Sequence, residues 1–232
     1  MQGVGHFKCP TIKMSDVINP MRLAPGGIYH VYNRGNDRRP IFFKHENYLF
    51  FIKKMEKYLL PNTDLLAWVL MPNHFHFLIH ANENTCPIVR ENPAAIDRFG
   101  ESIRLLLSSY SKAINKQESM TGNVFQQRTK CKCVNDRDDD FTSTAFHYIH
   151  QNPYRAGLVE RLSEWEFSSI HEYAEPGTSL YAGRHLRLCN VELGRQLVDL
   201  GREDIIERTY RVIPHNATSN IYHKIPHEQR WP

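Results

Sequence analysis

Two apolar runs separated by a two-residue turn constrain this chain more than any other feature. Residues 64–71 read DLLAWVLM and residues 74–80 read HFHFLIH, with Pro72 and Asn73 between them. Short apolar runs joined by such a turn signal are typical of adjacent strands. The second run is unusual because it places histidines where a buried strand normally has Val, Ile or Leu. The sequence therefore predicts a hairpin whose histidines are either tolerated in the second strand or required there.

The segments around this hairpin predict an α+β domain. Alternating apolar residues indicate strands, and apolar residues that recur every three to four positions indicate helices. The order is strand, helix, two strands, helix, strand, helix, so we expect an antiparallel β-sheet with helices packed on one face. We expect Asn152-Pro153 to end the last helix. The other predicted strands cover residues 27–33 and 124–134, and the predicted helices cover residues 45–60, 95–117 and 138–151.

Composition narrows the class of protein. The 232 residues suffice for a substantial core, and no apolar run approaches the roughly 18 residues of a membrane helix. The N-terminus does not resemble a signal peptide. The five cysteines are odd in number and scattered, so we expect reduced thiols and a cytoplasmic protein. A net charge of +4 permits nucleic-acid binding without requiring it.

The histidines of the second run can form part of a metal site. Alternate side chains of a strand share a face, so His74, His76 and His80 lie opposite the phenylalanines. His74 and His76 are about 6.7 Å apart along a strand, and two imidazoles at that spacing can bind one ion. His80 lies roughly 13 Å beyond His76, too far to contribute without help. With 13 histidines in the chain, the alternative is an accidental pair on a solvated strand face.

Residues 146–159, FHYIHQNPYRAGLV, contain a matching pair of functional groups. Tyr148 and Asn152 are four residues apart and share one face of the predicted helix. A tyrosine phenol can attack phosphorus, and an asparagine carbonyl is a hard oxygen ligand. The alternative is a core tyrosine followed by an ordinary Asn-Pro helix end.

Together these segments resemble the HUH single-tyrosine transposases, in particular the REP-associated tyrosine transposases and their insertion-sequence relatives. The main likeness lies in VLMPNHFHFLI (residues 69–79) and YIHQNPYRAGLV (residues 148–159). Further likeness lies in YHVYNRGN, VFQQRTK and WEFSSIHEY, which begin at residues 29, 124 and 165. Asn152 stands where the insertion-sequence branch commonly has Gln, which favours the REP-associated branch.

The resemblance implies a ferredoxin-like (RRM-like) HUH domain over residues 26–175. We expect residues 1–25 to form an N-terminal extension. We expect residues 176–232 to form a C-terminal extension, with a helix near residues 190–208 and then a DNA-binding or disordered tail.

The resemblance also implies an activity. His74, His76 and Asn152 are the expected ligands of a divalent ion, Mg²⁺ or Mn²⁺, and Tyr148 is the expected nucleophile. The implied reaction cuts and rejoins single-stranded DNA at hairpins or repeats through a 5′-phosphotyrosine, without a nucleotide cofactor. The implied assembly is a homodimer. No dedicated base for Tyr148 is evident, because His147 and His150 face elsewhere on an ideal helix.

Basic residues near these motifs are candidate DNA contacts, and for each one the alternative is a solvated surface charge. Tyr29 and Tyr32 are candidate stacking residues, with core packing as the alternative. The basic candidates are Arg34, Arg38, Arg39, Arg128, Lys130, Lys132 and Arg155.

Three other functions fit parts of the pattern. The first is a DNA-binding protein of the same fold that does not cut. The second is a metal-dependent nuclease in which water replaces Tyr148 as nucleophile. The third is a structural zinc site formed by His74 and His76 with Cys131 or Cys133, although such sites usually have four protein ligands.

Overall fold

The computed structural model describes residues 23–91, 95–135, 141–174, 180–181, 184–185, 187–200 and 204–212. The predictions for residues 1–22 and for the tail from residue 213 lie outside these ranges. The strands are β1 (Ile28–Arg34), β2 (Asp64–Met71), β3 (His74–His80), β4 (Ile88–Arg90), β5 (Ile96–Asp97), β6 (Lys130–Cys133), β7 (Leu180–Tyr181) and β8 (Arg184–His185). The helices are α1 (His45–Tyr58), α2 (Arg98–Gln117), α3 (Phe141–Arg155), α4 (Ile170–Ala174), α5 (Val191–Leu197) and α6 (Ile205–Val212).

The main sheet has four strands in the order β2-β3-β1-β6, and each neighbouring pair is antiparallel. The predicted hairpin is confirmed at both of its strands, and Met71 pairs with His74 across the turn. The α+β class with an antiparallel sheet is confirmed as well. The predicted strand over residues 124–134 is shorter, because only β6 pairs along β1. The predicted linker after β3 contains the small β4–β5 hairpin.

Helices α1 and α2 pack on the face of the sheet that carries the phenylalanines. The ring of Phe51 in α1 lies 5.6 Å from that of Phe75, and the ring of Tyr110 in α2 lies 4.9 Å from that of Phe51. Helix α3 lies on the opposite face, against β2 and β3. The sequence predicted helices on one face of the sheet, and this holds for α1 and α2 but not for α3. The opposite face also needs cover, because it contains Leu78 and His76, which are fully buried.

The prediction that Asn152-Pro153 ends the last helix is wrong. Helix α3 continues through Pro153 to Arg155. Proline lacks the N–H that would bond to the carbonyl of Ile149. The side-chain amide of Asn152 donates to that carbonyl at 3.4 Å and to the carbonyl of Tyr148 at 2.8 Å. The asparagine thereby offsets the missing donor, and it points its own oxygen away from the helix backbone.

The described part of the C-terminal segment packs onto this domain. Helix α5 lies against β2, and α6 lies against α3 and α4. Leu188, Val191 and Ile205 belong to the same hydrophobic core as the sheet. The helix predicted near residues 190–208 is therefore two helices, α5 and α6. No described helix is long and apolar enough to cross a membrane.

Candidate functional site

The strand register gathers the chemically active side chains on one side of the sheet, which we call the histidine face. Paired residues of an antiparallel ladder share a face. On β1, Tyr32 pairs with His76 and Arg34 pairs with His74. On the other side of β1, Lys130 pairs with Tyr32 and Lys132 pairs with His30. The histidine face therefore includes seven residues from three strands: His30, Tyr32, Arg34, His74, His76 and the two exposed β6 lysines, Lys130 and Lys132.

The imidazole of His74 is held by its neighbour in the turn. Its Nδ1 lies 2.6 Å from Oδ1 of Asn73, and the amide nitrogen of Asn73 donates to the carbonyl of Arg38 at 3.4 Å. Because an amide oxygen can only accept, this bond places the His74 proton on Nδ1. Burial lowers the pKa of His74 to about 4, the side-chain oxygen of Asn152 opposes that shift as a hydrogen-bond acceptor, and Arg34 adds to it. His74 is therefore a neutral ring at physiological pH.

The imidazole of His76 is fully buried and is held in the same way by a second histidine. Its Nδ1 lies 2.8 Å from Nε2 of His30, and the two rings stack with centroids 5.0 Å apart. Its Nε2 is buried and has no hydrogen-bond partner among the described residues. Burial, with the nearby His30 and His74, holds the pKa of His76 well below its usual value. Burial and Lys132 lower the pKa of His30 to about 3.

Asn152 comes from α3 and faces His74. Its amide nitrogen is engaged with the backbone of α3, so its oxygen is the atom left for other partners. Asn152 raises the pKa of His74, because its side-chain oxygen can accept a hydrogen bond from the second ring nitrogen only when the imidazole is protonated on both nitrogens. The helix and the strand, which are far apart in sequence, thus bring an amide and an imidazole together.

Tyr148 lies one helical turn before Asn152 and faces the same histidines. Its ring centroid is 5.8 Å from that of His76 and 6.2 Å from that of His30. Burial raises the pKa of Tyr148 to about 12; Arg155 acts against this shift and Tyr32 adds to it. An isolated phenol at this position therefore holds its proton tightly at neutral pH.

His147 and His150 lie on the other side of α3, as the helical spacing predicts. Nδ1 of His147 is 2.9 Å from Oγ1 of Thr209, and Nε2 of His150 is 2.7 Å from Oγ of Ser169. Both rings are buried between helices rather than directed toward Tyr148.

The side chains at this site fit Mg²⁺ or Mn²⁺ better than a structural Zn²⁺. No group of three His, Cys, Asp or Glu side chains in the described ranges is placed to hold a metal. Two imidazoles and an amide oxygen form an incomplete, neutral set, which leaves positions for water and phosphate oxygens. The buried, unpartnered Nε2 of His76 is the atom that such an ion would satisfy.

The zinc alternative is contradicted by the register. Cys131 pairs with Val31, which in turn pairs with Phe77, so Cys131 lies on the phenylalanine face. Cys133 shares that face by strand alternation. The sheet therefore separates both thiols from His74 and His76. None of the four described cysteines forms a disulfide.

The candidate DNA contacts differ in how close they lie to this site. Arg34 is on the histidine face, beside His74. Arg155 is exposed at the end of α3, near enough to lower the pKa of Tyr148. Lys130 places its ammonium 5.8 Å from the ring centroid of Tyr32. Lys132 lies near His30.

The remaining basic candidates lie in exposed loops. Arg38 and Arg39 belong to the turn after β1, where Arg39 is 3.9 Å from a carboxylate oxygen of Asp37. That turn contacts Asn73 through the Arg38 carbonyl, which connects it to the site. Arg128 is exposed in the irregular segment before β6.

Sequence reasoning missed His30 and Asn73 as parts of the site. The alternation of β1 was a usable signal, because it places His30 and Tyr32 on one face. What the sequence did not provide was the register between β1 and β3. Of the two tyrosines proposed to stack on bases, Tyr29 is buried and its hydroxyl accepts from the backbone N–H of Ala24, whereas Tyr32 is partly exposed on the histidine face.

Comparisons with known proteins agree with the motifs. The chain is 24% identical over 117 residues to a Haemophilus influenzae protein named "Putative REP-associated tyrosine transposase". The match covers 47% of this chain and 59% of that relative, so the chain spans about three fifths of the relative's length. A solved structure described as a REP-associated tyrosine transposase bound to a REP hairpin matches with 20% identity and a TM-score of 0.48, over 71% of this chain and 85% of the other. No family model matches the chain.

An antiparallel sheet with paired histidines, faced by a helix with a tyrosine and an amide, is the arrangement that the resemblance to HUH single-tyrosine transposases implies. The curated relative confirms that the chain is similar to REP-associated tyrosine transposases.

Proposed function

We propose that this protein is a metal-dependent transposase that nicks and rejoins single-stranded DNA at hairpin or repeat sequences. One observation carries the proposal. Two adjacent imidazoles have their Nδ1 atoms engaged, and the buried Nε2 of His76 lacks a partner in the described chain beside the ring of Tyr148. Ring nitrogens of His147 and His150 also lack partners among the described residues, so what distinguishes His76 is that His74 and Tyr148 converge on it.

The ligands of the proposed ion are His74, His76 and Asn152. Mg²⁺ or Mn²⁺ at this position would supply Lewis-acid stabilisation of a scissile phosphate. All three side chains are neutral, so a bound ion would keep its full positive charge for the phosphate of the DNA. Since burial lowers the pKa of both imidazoles, they keep their lone pairs available well below neutral pH.

Tyr148 is the proposed nucleophile. Its phenolic oxygen forms a bond to the phosphorus while the bond from phosphorus to the 3′ oxygen breaks. The phenol loses its proton and the leaving 3′ oxygen gains one, so the products are a 5′-phosphotyrosine and a free 3′-hydroxyl. The 3′-hydroxyl of another strand can then attack the phosphotyrosine. This step reverses the first reaction, releases Tyr148 and rejoins the DNA. The raised pKa of Tyr148 means that ionisation of the phenol requires positive charge nearby, from the proposed ion or from Arg155.

The exposed basic residues support an approach path for the DNA backbone. Lys130 and Lys132 extend the histidine face outward on β6, and Arg155 flanks it on α3. The relative bound to a REP hairpin suggests the type of DNA, and we propose a hairpin for this chain too. A homodimer is part of the proposal by family resemblance alone.

The test uses end-labelled hairpin DNA with Mn²⁺ or Mg²⁺ and detects a protein–DNA adduct that survives denaturant. We expect an adduct with the parent protein and none with Tyr148→Phe. Tyr154→Phe is the matched control, because Tyr154 lies on the same helix but is exposed and packs edge-on against Tyr210. We expect this control to form the adduct normally.

Other outcomes identify the competing functions. Cleavage that survives Tyr148→Phe indicates a hydrolytic nuclease with water as nucleophile. Hairpin binding without cleavage or adduct, at every ion tested, indicates a DNA-binding protein of the same fold.

A further inference from the structure

His30 is a buried histidine that the proposed chemistry does not use directly. It lies on β1, is 2% exposed, and reaches across the sheet to His76. The two rings are nearly parallel, with an interplanar angle of 23°. A hydrogen bond between two imidazole nitrogens needs one proton, which belongs either to His30 or to His76.

The position of that proton decides what His76 can bind. If His76 carries it on Nδ1, then Nε2 has a lone pair and can bind a cation. If His30 carries it on Nε2, then His76 must carry its own proton on Nε2, where it cannot bind a cation. That second arrangement would also leave a buried N–H with no acceptor among the described residues. The first arrangement is the one that a metal ligand requires.

His74 shows the same requirement met by a different group. Its Nδ1 faces the amide oxygen of Asn73, which can accept a hydrogen bond but cannot donate one. Asn73 therefore determines the proton position of His74 outright. The corresponding partner of His76 is His30, whose nitrogen can do either.

We propose that His30 is a positioning residue that keeps the proton of His76 on Nδ1 and so directs the Nε2 lone pair toward the metal. This inference rests on the metal-dependent function proposed above. It assigns to β1 a role in metal affinity that goes beyond its role in the sheet. Loss of such an outer-shell partner typically weakens metal binding roughly 10- to 100-fold.

The experiment measures Mn²⁺ affinity of the full chain without DNA, so it does not depend on turnover. We expect His30→Phe to weaken Mn²⁺ binding by about 10- to 100-fold. We expect His30→Gln to retain most of the affinity, because its amide oxygen can accept from His76. His80→Phe is the matched control, since His80 lies on the same face of β3 but bonds to Asp64 at the far end of the strand. Its affinity should equal that of the parent.

A second measurement needs no variant. In the metal-free parent protein labelled with ¹⁵N-histidine, nuclear magnetic resonance should show His76 protonated on Nδ1. A proton on Nε2 would overturn the inference, and so would a His30→Phe protein that binds Mn²⁺ as tightly as the parent.

The two proposals fail in different ways. A parent protein that binds no Mn²⁺, yet protonates His76 on Nδ1, rejects the metal-dependent function while keeping the proton assignment. A parent that binds Mn²⁺ without any effect of His30→Phe keeps the function and rejects the role of His30.

Discussion

His76 and His147 are both fully buried imidazoles, yet their surroundings differ in kind. Each has one ring nitrogen in a hydrogen bond and one buried nitrogen without a partner in the described chain. His76 lies beside a second imidazole and a phenol, with ring centroids 5.0 and 5.8 Å away. His147 lies between helices, beside Phe146 and Thr209. An unsatisfied nitrogen thus indicates a ligand site only where other donors converge on it.

The largest expected effect separates these two rings directly. If His76 is a ligand as proposed, His76→Gln should lower metal-dependent cleavage by more than the roughly 10- to 100-fold typical of an outer-shell change, because the ion then loses a direct ligand. His147→Gln should leave the cleavage rate within about threefold, since its amide can still bond to Thr209. Both rates are measured on labelled hairpin DNA at saturating Mn²⁺. Equal losses in the two variants would mean that burial, not ligand geometry, explains the importance of His76.

A smaller effect is expected at the exposed edge of the histidine face. Replacing both Lys130 and Lys132 with Gln should weaken hairpin binding about tenfold at physiological salt, because each lysine neutralises a phosphate. The plot of log affinity against log salt should become shallower by about 1.4 to 1.8. Lys53→Gln is the control, because Lys53 is exposed on α1, on the other side of the sheet. A salt dependence unchanged by the double substitution would remove β6 from the DNA path.

A pH effect on stability is expected at His147. Burial, with Arg208 nearby, lowers its pKa from 6.5 to about 4 in the fold. The unfolded chain therefore binds the proton first, and stability falls as pH drops from 6.5 toward 4, while above 6.5 the effect is absent. One proton corresponds to a slope of about 1.4 kcal/mol per pH unit. In denaturant titrations, His147→Gln should reduce this slope by up to that amount. An unaltered slope would place the acid sensitivity at other groups.

The smallest expected effect concerns the opposite face. Cys131→Ser should leave Mn²⁺ and Zn²⁺ affinities unchanged, because the sheet separates Cys131 from His74 and His76. The measurement is the same metal titration used for the His30 variants. A loss of Zn²⁺ affinity would require a different register between β1 and β6.

The sequence predicted β2 and β3 to the residue because apolar runs and a Pro-Asn turn are local signals. It did not predict that α3 would pass through Pro153, because the compensating hydrogen bond comes from the side chain of the preceding asparagine. Tyr148 and Asn152 were predicted to share one helix face from their spacing, which is also a local signal. His30 was missed because its role depends on the pairing of strands that are 46 residues apart. Local sequence patterns do not predict which residues of distant strands pair with each other.

Strand β6 is one of the two edge strands of the main sheet, and this position has a consequence for solubility. The far edge of β2 is covered, since Phe167 and Ser169 hydrogen-bond along it. Strand β6 has no such cover from a further strand in the described sheet; it is short and carries an exposed lysine at every second position. Short, lysine-bearing edges discourage other chains from adding a strand. Lys130 and Lys132, which are proposed to bind DNA, therefore also disfavour self-association. A variant that lacks both lysines should aggregate more readily.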